Sequence, residues 1–166
     1  MARMATTYTH DQLEALKVAA AESNRKRAHL NTHPSLDSPV QRLFVAMHPD
    51  TYVRPHRHPQ SNKWEMMMVI EGSLDVFLFD DAGAITSRIR MGGMHTRALE
   101  IPANTWHSFV VTSATSAVML EIKEGPYIPA TPQDFATWSP EEGSADVPAF
   151  VDSLRQCSDP EVTLSE

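Results

Sequence analysis

The chain has 166 residues, enough for one domain with a full hydrophobic core and marginal for two. Its 42% hydrophobic and 21% charged residues are ordinary for a globular protein, and 14 Lys+Arg against 21 Asp+Glu leave a net charge of −7, which argues against a nucleic-acid binder working by phosphate neutralisation. A lone cysteine, Cys157, excludes an internal disulfide framework and any Cys-based zinc or iron–sulfur site, and no apolar run approaches the roughly 20 residues of a membrane span.

The expectation is a soluble, cytoplasmic, single-domain protein over 1–166, since MARMATTYTHDQLEALK lacks the apolar core of a signal peptide. His10 to about Ser23 reads as a helix, with Thr9 and the acidic Asp11 suiting its N-terminus. Asn24 to Pro39 is polar and proline-punctuated and reads as irregular chain. From Val40 to Glu124 short β-like runs follow one another: 40–47, 51–55, 65–72, 74–80, 84–91, 95–101, 106–113 and 116–124. Turn signals at Asp50, Gly72, Asp80–Gly83 and Gly92-Gly93 separate several of them. Seven or eight short strands without intervening helices predict an antiparallel sandwich or barrel. A proline-rich tail leads to a short helix over 145–156, making a C-terminal cap of about 125–157, and the last ten residues are expected to fray.

Three of the eight histidines stand in informative places. His56 and His58 form an H-x-H whose alternation on extended chain puts both rings on one wall. Glu65 opens the next apolar run, and His107 opens another after the IPAN turn. Three neutral imidazoles and one carboxylate suit one divalent first-row ion, with positions left for water or substrate. Each residue taken alone has a bland reading as a solvated or core side chain, and only the joint pattern points to a metal.

That pattern resembles the two motifs of the cupin superfamily. The first stands here as His56-Arg57-His58, six residues, Glu65, six residues and Gly72; the second as Pro102-Ala103-Asn104-Thr105-Trp106-His107. The spacer before Glu65 exceeds the usual three or four, and Asn104 replaces a turn glycine, a change that tolerates positive φ. Longer stretches, ESNRKRAHLNTHP, QRLFVAMHPDTYVRPHRHP, EIKEGPY and DFATWSPEEG, resemble the WbuC-type cupin-fold metalloproteins over about residues 10 to 156. The resemblance implies a mainly β jelly-roll barrel flanked by helices, a bound metal (zinc, iron, manganese or nickel) and association with surface-polysaccharide (O-antigen) biosynthesis. No reaction follows from it.

Polar residues beside the ligands are the candidates for substrate contact. Arg42 is read with Val40 and Phe44 on one strand face, either as a clamp for a carboxylate or phosphate, or as an ion pair with Glu121 or a surface residue. Glu121 and Lys123 alternate with apolar neighbours and can both face the pocket. Lys63 and Trp64 shape the rim or sit in solvent, and Tyr127 covers the site or packs. Arg25 and Asn31 are solvated by default, and the family resemblance favours turning them inward. His10, His29, His48 and His95 are left structural, Met66 to Met68 are core, and Cys157 is incidental. Glu121, Arg42 and Tyr127 are the catalytic candidates of a metalloenzyme on a small polar, sugar-derived or anionic substrate. A metal-anchored binding or sensing protein and a purely structural metal are the competing classes. Protection of open sheet edges favours a homodimer.

Overall fold

A computed structural model describes residues 5–158. Helix α1 spans His10–Glu22, opened by a capping box in which the Gln12 amide donates to Thr9 Oγ1 and the Thr9 amide to Gln12 Oε1, at 3.4 and 2.8 Å. Its buried face, Leu13, Leu16 and Ala20, recurs at helical spacing and packs on Ala46 and Val118.

Eight strands follow: β1 Arg27–Asn31, β2 Val40–Met47, β3 Glu65–Glu71, β4 Ser73–Phe79, β5 Ile85–Gly92, β6 Ala98–Ile101, β7 Trp106–Val111 and β8 Ala117–Glu124. All named pairings are antiparallel, in a five-stranded sheet ordered β1-β2-β8-β3-β6 and a three-stranded sheet ordered β5-β4-β7. The inner faces of the two sheets meet in a core that includes Met67, Val69, Leu74, Val76, Phe109, Val111 and Met119. Helix α2, Val147–Gln156, closes the other side, where Val151 and Leu154 cover Tyr52, Phe77, Phe79 and Trp106. Every residue of β7 is therefore buried, one face by the barrel and the other by the cap. The result is the expected jelly-roll barrel with an N-terminal helix and a C-terminal helical cap.

Two expectations need correction. Residues 27–31 are not irregular but form β1, whose polarity is inverted: Ala28 and Leu30 lie under α1, while Arg27, His29 and Asn31 line an internal cavity. Residues 51–55 are not a strand; pairing there is confined to a bridge at His56, because Pro55 has no N–H to contribute. Other boundaries shift by one or two residues, except that β6 starts at Ala98 rather than at residue 95. Residues 159–166, most of the segment expected to fray, lie outside the described residues.

Candidate metal centre

His56 and His58 lie on the extended segment before β3, Glu65 is the first residue of β3, and His107 is the second of β7. A reciprocal pair of backbone bonds ties His56 to His107: each amide donates to the other's carbonyl, at 3.0 and 2.9 Å. His58 is held from below, where the Asn104 amide donates to its carbonyl at 2.7 Å. Asn104 takes φ +60°, so the asparagine supplies the left-handed turn that the motif's glycine would. The long spacer is absorbed by a turn in which the Lys63 amide donates to the Gln60 carbonyl at 2.9 Å.

The side chains converge. One ligand atom from each of His56, His58, Glu65 and His107 lies within 4.8 Å of all the others. The Nε2 atoms of His58 and His107 sit 3.0 Å from the two Glu65 oxygens, with the distance of hydrogen bonds but not their direction, and both nitrogens are otherwise buried without a partner. Nδ1 of His56 lies 3.0 Å from the Arg54 carbonyl, and Nδ1 of His107 lies 2.9 Å from the Thr105 carbonyl. A carbonyl only accepts, so Nδ1 carries the proton in both rings and Nε2 presents its lone pair to the cluster. These two nitrogens, with His58 Nε2 and one carboxylate, fit a divalent transition ion and do not discriminate among zinc, iron, manganese and nickel.

Burial and the single carboxylate set the electrostatics of the cluster. Burial holds the His56 imidazole well below its ordinary value, helped by the adjacent His107. Burial acts on His107 in the same sense, but the Glu65 carboxylate outweighs it and raises that ring's pKa. For Glu65, burial opposes ionisation, yet His107, His58 and Lys123 together hold the carboxyl well below the usual range.

Three of the four, His56, His58 and Glu65, form part of the wall of a cavity of about 510 Å³. Glu121, Lys123, Tyr127, Lys63, Arg25 and Asn31 line it, as does Gln41. Lys123 Nζ bridges Glu121 Oε1 at 2.6 Å and Glu65 Oε1 at 3.1 Å. Lys63 is buried rather than solvated, and Tyr127 is 47% exposed at the rim. Arg42 is the correction: it is exposed on the outer face of β2, and Leu43, not Arg42, is the register partner of Glu121. The cavity side of β2 belongs to Gln41 and Leu43. His29, His33, Arg54 and Glu142 also line the cavity and were missed by sequence reasoning. His29, His33 and Glu142 stand in segments read as irregular or surface chain, and Arg54 in a run read as a strand without a role assigned to its side chain. A second His/Glu group, His10, Glu14 and Glu71, lies towards the surface, with Lys17 paired to both glutamates.

A family model described as a domain of unknown function, DUF6016, matches residues 8–91. No curated protein matches the sequence. Among solved structures, an oxalate oxidase in complex with the substrate analogue glycolate is 19% identical, with a TM-score of 0.53 over 81% of this chain and 68% of that one. The L-ribose isomerase of Cellulomonas parahominis, solved with L-psicose, is 18% identical, with a TM-score of 0.51 over 64% of each chain. The chain spans 25% of the Lactobacillus farciminis oxalate decarboxylase, with 54% of its own length covered, 18% identity and a TM-score of 0.45. Such neighbours are cupin-fold proteins, and at these identities the likeness shows the fold. Among the described residues no helix is long and apolar enough to cross a membrane.

Proposed function

The chain belongs to the DUF6016 family, and on that premise we propose that it is a mononuclear metal-dependent cupin acting on a small polar, sugar-derived or anion-bearing substrate. The supporting observation is the convergence of four ligand atoms within 4.8 Å, with the Nδ1 atoms of His56 and His107 committed to backbone carbonyls. His56, His58, Glu65 and His107 would hold the ion. Bound there, a divalent metal supplies Lewis-acid polarisation or water activation, which suits isomerisation, epimerisation or hydrolysis, and oxygen chemistry if it is iron.

The chain's own residues supply the rest. Glu121, beside the cluster and away from its ligand atoms, is the group that holds or moves a proton at its carboxylate. Lys123 orients Glu121 and Glu65 together through its two contacts. The barrel core, with Phe109 and Met119 against the cavity, excludes water from its deep side, while Tyr127 bounds the mouth. The finer reading follows the WbuC-type sequence run: a cytoplasmic step in surface-polysaccharide (O-antigen) biosynthesis. The ligands of two structural neighbours, the hydroxy acid glycolate and the ketose L-psicose, are compatible with substrates of that size.

One observation favours a second reading, a ligand-binding cupin without turnover: Glu121 is already engaged by Lys123 at 2.6 Å, which would restrain it as a base. Elemental analysis of protein purified without a chelating tag, followed by assays of the loaded protein on nucleotide sugars and keto-sugars, separates the readings. One equivalent of metal with turnover supports the enzyme. One equivalent with tight but silent sugar binding in calorimetry supports the binding protein. Absence of stoichiometric metal would contradict both. The same proposal includes a homodimer, since β1 and β6 are open edges of the larger sheet; a light-scattering mass of a single chain would contradict it.

A further inference from the structure

The cavity differs in charge from the molecule around it. The whole chain carries −7, yet five lysines and arginines line the cavity against four glutamates. Three of those cations are already compensated: Arg25 and Arg27 share Glu142, at 2.7 and 2.5 Å, and Lys123 bridges Glu65 and Glu121. The other two, Arg54 and Lys63, make no salt bridge among the described residues.

Both hydrogen-bond only to neutral groups, although the Glu124 carboxylate acts on Lys63 from beyond ion-pair distance. Lys63 is 7% exposed, and its Nζ donates to the carbonyls of Glu124 and Pro126 at 2.8 and 2.7 Å, leaving a third N–H unused. Arg54 donates through Nε to Ser139 Oγ at 3.3 Å and through Nη2 to the Ala136 carbonyl at 3.0 Å, with its guanidinium 5.6 Å from the Phe135 ring. Two carbonyls or a hydroxyl orient such a cation without neutralising it, and Lys63 is buried while Arg54 is half-buried, so an ion-paired anion would lower the cost of withdrawing them from water. Each precedes a metal-ligand candidate by two positions, Arg54 before His56 and Lys63 before Glu65. On extended chain that spacing keeps them on the cavity side. One polar atom nearby has no hydrogen-bond partner among the described residues: Nε2 of His33, a residue 9% exposed that lines the same cavity.

We propose that Arg54 and Lys63 are the specificity-determining residues of this cavity, and that its ligand is a small molecule carrying an oxyanion (carboxylate or phosphate) seated on them while a neutral polar group meets His33 Nε2. This rests on the metal-centre reading and assigns to Arg54 and Lys63 the anion contact that Arg42, on the outer face, cannot make. Charge-assisted bonds of this kind set the expected effect at about tenfold or more in affinity for each cation removed.

The test is calorimetry on the full chain, with and without manganese, using glycolate and glycerol 3-phosphate as anionic probes and glycerol as the neutral one. The expected result is that at least one anionic probe binds. R54M and K63M would each weaken it about tenfold or more, leaving glycerol affinity and metal content unchanged, and R54K would recover much of the loss. Which anionic probe binds more tightly separates carboxylate from phosphate. If K63M does not fold by circular dichroism, the R54M and R54K pair decides. Anionic binding untouched in R54M, equal affinity for anionic and neutral probes, or no anionic binding would overturn the proposal. Metal content is read separately: a wild type that takes up no metal but still loses anion affinity in R54M would sink the metal centre and leave the anion site standing.

Discussion

At the residue scale, the account rests on how three imidazoles and a carboxylate are oriented before any ion arrives. Backbone carbonyls fix the proton on Nδ1 of His56 and His107, and the Glu65 oxygens lie between His58 and His107. Replacing His107 or His56 by alanine should abolish stoichiometric metal uptake, measured by elemental analysis, whereas R42A should leave uptake intact. R42A should also change stability by less than about 0.5 kcal/mol, as expected of an exposed position. A different residue sets part of the pH response. Burial opposes ionisation of Glu142, but hydrogen bonds from Arg25 and Arg27 outweigh it and hold the carboxyl below its usual value. A depressed folded value contributes stability that is present above the ordinary carboxyl value of 4.5. That stability is lost as pH falls through the lower folded one. Thermal melts between pH 3 and 7 should therefore show a shallower acid decline for E142Q; an unchanged profile would remove Glu142 from the account.

At the element scale, the second motif turn is the sharpest probe. With φ at +60°, Asn104 sits where a β-branched side chain is strained, and its amide carries the His58 carbonyl. N104V should cost roughly 1–2 kcal/mol and N104G much less, by denaturant melts. This turn was legible in sequence because asparagine has a known tolerance there. So were both helices, the N-terminus of the first, and seven of the eight strands, since their apolar runs match buried faces. What escaped were elements whose two sides are set by neighbours rather than by solvent. β1 reads as polar because its inner side faces a cavity and its apolar side lies under α1. On β2, alternation alone gives two faces and does not say which is inward; the register with β8 puts Gln41 opposite Lys123 and turns Arg42 outward. The 51–55 run has strand composition, yet a proline at its end leaves only a bridge.

At the scale of the whole molecule, the barrel brings together ligands 51 positions apart in sequence, from His56 to His107, and encloses them between two sheets and a cap. An ion bound by the folded chain alone stabilises it by mass action, about 4 kcal/mol at a thousandfold excess over Kd. Chelation should then lower Tm by roughly 10 °C for a chain of this length, and readdition of metal should restore it. A melt indifferent to chelator would contradict a bound ion that stabilises the fold.

The most direct measurement is an anomalous difference map from crystals grown with manganese or zinc, collected above and below the metal edge. A single strong peak per chain, enclosed by Nε2 of His56, His58 and His107 and a Glu65 oxygen, is the predicted result. No peak there, or one bound only at the surface beside His10, Glu14 and Glu71, would contradict it.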